Sequence, residues 1–410
     1  VIKQRGYIFV QALVVIAGLL ALMAMLAADG RVAQQETQNR LRQRRAEAAA
    51  DSAVARALAD LQDANPSVVT LQDDWALLGD SGNERFDLGD ATFRMQIVDT
   101  GALVNVNSAA QEQLQNLPLN QEQIHCLLDW REPKTSARPD GAKDNYYNGL
   151  PTPYNAKLGP LDTTDELLLV KNWTTQTLYQ SSQTAIGQSL TDRSGNSLPL
   201  AALLTVDSGA PATRPDGLPR INLGKPGPDT TALTQLGIDP NMANQIASQA
   251  PIMSFSALLA IPGMQTNTMR QLLDAVTFTD QKRIEGKINL NTAPEAVLRT
   301  IPNMTSSIAS AIISRQSDGF HGLSDLATVS GVDTPKLAKL ADAFTVGSDT
   351  WLVRAYGQSG GAGVALEAVV GLRGGRAQVL TQTQFHTAGI PLWWGWDANS
   401  NGTVDAGSAH

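Results

Sequence analysis

The sequence predicts an α+β protein: a long N-terminal helix that begins as a transmembrane segment, a small antiparallel sheet, and a large inserted all-α domain. Three observations predict it. Tyr7 to Ala28 is apolar apart from Gln11, long enough to cross a bilayer at about 1.5 Å per residue. Thr92 to Ile97 alternates polar and apolar, and Trp351 to Tyr356, Val364 to Arg373 and Arg376 to Phe385 are strand-like runs separated by Gly-rich turns such as Gly360-Gly361 and Gly374-Gly375. Between these sheet pieces lie about 240 residues with mostly helical signals, which therefore read as an insertion.

Composition narrows the function classes. The 410 residues are 42% hydrophobic and 17% charged, too apolar for a disordered chain and long enough for two or three cores. The formal charge of -8 is unevenly spread, because basic residues outnumber acidic ones by four up to Arg56. The remainder carries about -12 and repels phosphate backbones, which excludes a broad nucleic-acid footprint. Cys126 is alone, excluding an intrachain disulfide and a thiolate metal cluster. Gly79-Asp80-Ser81-Gly82 is similar to a serine-protease nucleophile loop, but Asn83 stands where a glycine should follow Gly82, and His125, His321, His386 and His410 have no close ligand spacing, so an enzyme is not expected.

In chain order, Lys3 and Arg5 precede the apolar run and place the N-terminus in the cytoplasm, with the body periplasmic. Helix-favouring sequence continues through Arg40 to Val54, Leu58 and Leu61, and the first proline is Pro66. One helix of about 55 residues, about 80 Å long, is expected. Further on, a phrase recurs: Val104-Asn105-Val106-Asn107, Ile221-Asn222-Leu223 and Ile288-Asn289-Leu290-Asn291. The first and third lead into Ser108-x-x-Gln111 and Thr292-x-x-Glu295, expected to be capping boxes; the middle copy lacks one. The third continues through Ile301-Pro302-Asn303-Met304 and Ile308 to Arg315, which resembles a helix-hairpin-helix unit and is echoed at Ile261-Pro262-Gly263-Met264. Such units bind DNA where hairpin glycines admit a phosphate; with Asn303 and Thr305 in an acidic body, packing is the expected role.

The N-terminal organisation resembles type IV pilins and the pseudopilins of type II secretion. Lys3-Gln4-Arg5-Gly6 is similar to their short basic leader, and Gln11 stands where most members have a glutamate, the fifth residue after the cut. Together with Asn289-Leu290-Asn291-Thr292-Ala293, Leu127-Leu128-Asp129-Trp130, Gly141 to Tyr147 and Thr164 to Val170, the chain resembles the K-type minor pseudopilins, the general secretion pathway protein K family. The resemblance implies a leader at 1–6, an N-terminal helix at 7–62 with 7–28 transmembrane, a pilin-like sheet domain at 63–105 and 346–392, an inserted helical domain at 106–345 and a tail at 393–410. It also implies cleavage after Gly6 by prepilin peptidase, methylation of the Tyr7 amine, residence in the inner membrane, and a place at the pseudopilus tip, since Gln11 cannot pair with a neighbouring terminal amine. Partners implied are other minor pseudopilins, the major pseudopilin and secreted substrates. The alternative is a membrane-tethered DNA-binding helix-hairpin-helix protein.

Calcium is the one cofactor implied. Asp129, Glu132, Asp140 and Asp144 fall where the family is associated with it, although Lys143 stands where the family favours Glu; the other reading is a solvated polar loop. In the tail, Asp397, Asn399, Asn401, Thr403 and Asp405 alternate as oxygen ligands of a calcium loop do, but Ser408 holds the position of the bidentate carboxylate, leaving weak binding or a polar tail as alternatives. Trp393, Trp394 and Trp396 form either a plug on the sheet or a contact patch for a partner.

Overall fold

The computed structural model describes residues 2–180, 198–385 and 389–396, and only the backbone of residues 2–8, 24 and 26–30. Helix α1 runs from Ile2 to Leu61 without a break at Gly6, about 90 Å of helix. Its chemistry changes along its length. Phe9, Val10, Leu13 and the described apolar residues up to Met25 are exposed, whereas Ala46, Ala49, Ala50, Ala53, Val54, Ala57 and Leu61 recur every three or four residues and are buried. Among the described residues no helix is long and apolar enough to cross a membrane. The expected span, Tyr7 to Ala28, falls partly on side chains outside the description.

The buried stripe of α1 lies on a five-stranded antiparallel sheet. In spatial order its strands are β1 (Arg85–Leu88), β2 (Ala91–Asp99), β3 (Thr350–Ser359), β4 (Ala362–Arg373) and β5 (Arg376–Phe385). Alternation puts Met95 and Ile97 of β2, Trp351, Val353 and Ala355 of β3, and Val364, Leu366 and Ala368 of β4 in one core with the helix alanines. The approach is close enough to depend on glycine. A Cβ at Gly357, on the central strand β3, would lie 2.0 Å from the Ala46 carbonyl oxygen and 2.6 Å from the Ala50 nitrogen.

Between Asp99 and Thr350 a second core gathers side chains from Val104 to Val346. Here the all-α expectation is corrected. The recurring asparagine phrase forms three two-residue parallel ladders: Val104–Asn105 with Leu204–Thr205, Ile221–Asn222 with Val276–Thr277, and Ile288–Asn289 with Phe344–Thr345. A fourth, antiparallel pairing joins Gly209–Pro211 to Arg283–Glu285. Each ladder stops after two residues for a local reason. The Oδ1 atoms of Asn105, Asn222 and Asn289 accept from the amides of Asn107, Gly224 and Asn291 at 2.9, 2.7 and 3.0 Å, turning the chain. Opposite them, Thr205, Thr277 and Thr345 hydroxyls accept from the amides of Asp207, Thr279 and Gly347. The middle copy thus keeps the architecture that its lost helix start concealed.

Neither expected capping box forms. The helices there start after Ala110 and Pro294, without side-chain caps. Thr292 instead donates its hydroxyl to Asp99. The true helix starts follow hairpin turns in which Asn172, Asn303 and Gly331 take positive φ of 65°, 69° and 86°. Two residues later Thr174, Thr305 and Asp333 accept from the amides of Thr177, Ile308 and Lys336 and cap the next helix. The same left-handed turn is made by Gly263, echoing Asn303, with the Met264 amide returning to the Ile261 carbonyl at 3.1 Å as Met304 returns to Ile301.

The insertion leaves and rejoins the sheet at neighbouring points, because Asp99 pairs with Trp351 in the β2–β3 register. Asp99, buried, accepts from the Gly101 amide at 2.7 Å, the Asn289 amide group at 2.8 Å and the Thr292 hydroxyl at 2.5 Å. On the other side, Arg283 of the insertion meets Asp349 at 2.8 Å and Asp207 at 2.6 Å, and Arg373 at the end of β4 meets the same two carboxylates at 3.2 and 3.3 Å. Burial works against the Arg283 charge, but Asp349 and Asp207 outweigh it and hold its pKa above the usual arginine value.

Two outcomes follow from this geometry. Replacing Gly357 with Ala is expected to destabilise the protein by about 1–3 kcal/mol in chemical denaturation, since the added methyl meets helix backbone rather than a movable side chain. Burial pushes the Asp99 carboxyl up, against hydrogen bonds from Ser348, Thr292, Asn289 and Gly101. Its contribution to stability is therefore complete below the ordinary carboxylate range and is lost as pH rises through the raised value. Unfolding midpoints followed across pH should decline over that window, and Asp99→Asn should flatten the decline.

Candidate functional site

The expected metal ligands lie on the helix Gln121–Arg131 and the turns after it. Asn120 starts that helix with a capping box, its side chain taking the Gln123 amide at 2.8 Å while Gln123 answers its own amide at 3.0 Å. Ile124, Leu127, Leu128 and Trp130 pack into the insertion core, which carries Asp129 inside with no exposed surface.

The Asp129 carboxylate is already answered. Arg138 donates its amide to Oδ2 at 2.9 Å and Nη1 to Oδ1 at 2.8 Å, and its Nη2 reaches Glu132 Oε1 at 2.5 Å. The Lys143 ammonium donates to the Asp129 and Glu132 carbonyls, closing the C-terminal end of the helix. Burial pushes the Lys143 pKa down while Asp129 and Glu132 oppose the shift. Gly141 must be a glycine, because a Cβ there would lie 1.9 Å from Asp129 Oδ2.

These four carboxylates do not form a cation site. Asp144 is spent on the Ala156 amide at 2.8 Å, and Asp140 sits in a left-handed turn at φ 61°. Among the described residues no group of three or more metal-ligating side chains converges. An ammonium and a guanidinium occupy the places where oxygen ligands would have to gather, so this donor set does not fit calcium. The solvated-loop alternative is also too weak, since Asp129 and Lys143 are buried. The second expected set, Asp397, Asn399, Asn401, Thr403 and Asp405, lies outside the described residues.

At the other face of the sheet, the tail tryptophans act as a plug. Trp394 is buried and donates to Glu367 at 2.6 Å; Trp396 donates to Gln96 at 3.0 Å beneath the Arg94 guanidinium. Trp393 packs on Tyr179 and Phe385, with ring centroids 4.8 and 5.3 Å apart. Their partners Glu367 and Gln96, both reached by Arg354 at 3.3 Å, were not singled out in the sequence. Alternation along β2, β3 and β4 was the signal that could have found them, because it puts a polar residue of each strand on the same side. Gly6, Tyr7 and Gln11 all fall on α1, Gly6 and Tyr7 as backbone only and Gln11 as an exposed side chain.

Residues 86–184, from β1 through the Asp129 loop, match the family model for type II secretion system (T2SS) protein K. This segment of the chain is similar to protein K of the type II secretion system. Residues 284–345, spanning the third asparagine ladder and the Asn303 hairpin, match the helix-hairpin-helix motif. Among solved structures, this chain is similar to a chain of the GspK-GspI-GspJ complex from the enterotoxigenic Escherichia coli type 2 secretion system. The identity is 14% and the TM-score 0.47, over 88% of this chain and 100% of that one. No curated protein matches it.

Lys143 gives this loop a direct test. Lys143→Met leaves two carbonyls at a helix end without their donor and is expected to lower unfolding free energy by about 1–3 kcal/mol in urea. Added calcium should not restore the loss.

Proposed function

We propose that this chain is a minor pseudopilin that sits at the tip of the type II secretion pseudopilus, initiates its assembly with other minor pseudopilins, and supports protein export across the outer membrane by contact rather than by catalysis. The observation that carries the reading is the contrast along α1: its C-terminal half is buried on the sheet, while its N-terminal part offers exposed apolar side chains from Phe9 onward. Exposed leucine, valine and phenylalanine over that length call for lipid before assembly and for neighbouring helices after it. On this reading Tyr7 to Ala28 is the inner-membrane anchor, Lys3 and Arg5 stay cytoplasmic, and the sheet and insertion are periplasmic.

Processing completes the proposal. Prepilin peptidase cuts after Gly6 and the Tyr7 amine is methylated; Gln11, uncharged, makes no ion pair with a subunit's terminal amine, which suits the end of a filament rather than its shaft. The major pseudopilin packs beneath, and secreted substrates meet the insertion.

Mass spectrometry of the chain purified from membranes should find an N-methylated Tyr7 as its first residue, and the same preparation should contain other minor pseudopilins. An intact leader together with a preparation free of such partners would remove the reading. Salt-dependent DNA binding by the chain would favour the helix-hairpin-helix alternative instead.

A further inference from the structure

A cavity of about 430 Å³ opens inside the insertion, between its second and third parallel ladders. Val276–Thr277 of one ladder and Phe344–Thr345 of the other line it, with Phe255, Phe278, Ile284 and the exposed Met253. Phe255 and Phe278 meet edge to face at 4.8 Å, so one wall is rigid and aromatic. Met253, 69% exposed, stands at the rim. That size and lining match a small-molecule site more closely than a packing defect.

Two cations also line it, Arg220 and Lys287. Arg220 donates Nε to the Thr213 carbonyl at 3.0 Å and Nη1 to the Leu273 and Val276 carbonyls at 3.4 Å. Lys287 donates to the Asp342 carbonyl. The hydrogen bonds of both cations go to main-chain carbonyls. Asp342 also lines the cavity, but its carboxylate takes the Phe255 and Ser256 amides at 2.7 and 3.1 Å, and the nearby Asp274 takes the Leu323 amide at 2.6 Å. Burial lowers the pKa of both cations, against the nearby charges of Asp274 for Arg220 and Asp342 for Lys287. Two partly desolvated positive groups beside an apolar wall, with only carbonyl partners, are costly unless an anion reaches them.

We propose that this cavity binds a medium-chain aliphatic carboxylate, its head group paired with Lys287 and Arg220 and its chain laid against Phe255, Phe278 and Met253. A neutral chain of the same length lacks the charge pairing, and an aliphatic cation is repelled. The site is independent of the pseudopilin reading, because it uses only residues inside the insertion.

Equilibrium dialysis tests it with the full chain in lipid nanodiscs, radiolabelled octanoate below its micellar concentration, and empty nanodiscs as the blank. Saturable octanoate binding is expected, with the isosteric neutral octanamide at least tenfold weaker. Lys287→Met and Arg220→Met should each weaken octanoate at least tenfold while leaving octanamide unchanged. Should those variants fail to fold, Met253→Glu at the exposed rim sets a carboxylate against the bound chain and should weaken octanoate at least tenfold. Equal retention of octanoate and octanamide, or octanoate binding insensitive to Met253→Glu, overturns the proposal, as does the absence of saturable binding. Retention of a peptide with an apolar C-terminal residue but not of octanoate overturns it too.

Discussion

The rest of the structure depends on a junction where about 250 residues leave the sheet after Asp99 and must return beside it at Thr350. Closing so long a loop costs chain entropy, and the sheet register leaves no slack, since Asp99 and Trp351 are direct partners. Two kinds of contact fix that closure. Asp99 draws Asn289 and Thr292 of the third ladder onto the end of β2, and Arg283 ties the fourth pairing to Asp349 at the start of β3. The insertion is thereby attached at its beginning, its third ladder and its end, instead of hanging from two peptide links.

Much of this was legible in the sequence, and the misses have physical causes. The sheet strands were readable because each has one face toward α1 and one away, which writes a two-residue period into Thr92 to Ile97 and Trp351 to Tyr356. The Ala46 to Leu61 stripe was readable for the equivalent helical reason. Two-residue ladders carry no period at all, so Ile221-Asn222 gave a repeated phrase without revealing that it pairs with Val276–Thr277. The capping boxes failed because a Ser or Thr three residues before a Gln or Glu is only a local pattern, and Thr292 found a stronger acceptor in Asp99, nearly two hundred residues away. Hairpin starts were missed where asparagine does the work of glycine, as at Asn172, since its φ cannot be seen in a residue list.

In the 129–144 loop the buried charges are answered by groups of the loop itself. Asp129 lies inside the core and would be prohibitive there alone, yet Arg138 brings both a backbone amide and a guanidinium to it. Lys143, which from sequence counted only as a missing ligand, proves to be a donor to two main-chain carbonyls. Residue type indicated that charge mattered in this loop; which groups the charge served was a matter of tertiary position.

The seam between α1 and the sheet has a mechanical consequence. Alanines on the helix and Gly357 on β3 bring the two backbones together with almost no side chain between them, over the middle of the sheet rather than at its edge. A pull on the N-terminal segment is therefore resisted as shear across many short contacts at once, and it reaches a strand hydrogen-bonded on both sides. Detaching the helix requires the whole seam to slide together, so tension applied at one end of the chain is delivered to the sheet and, through Asp99 and Asp349, onward to the insertion.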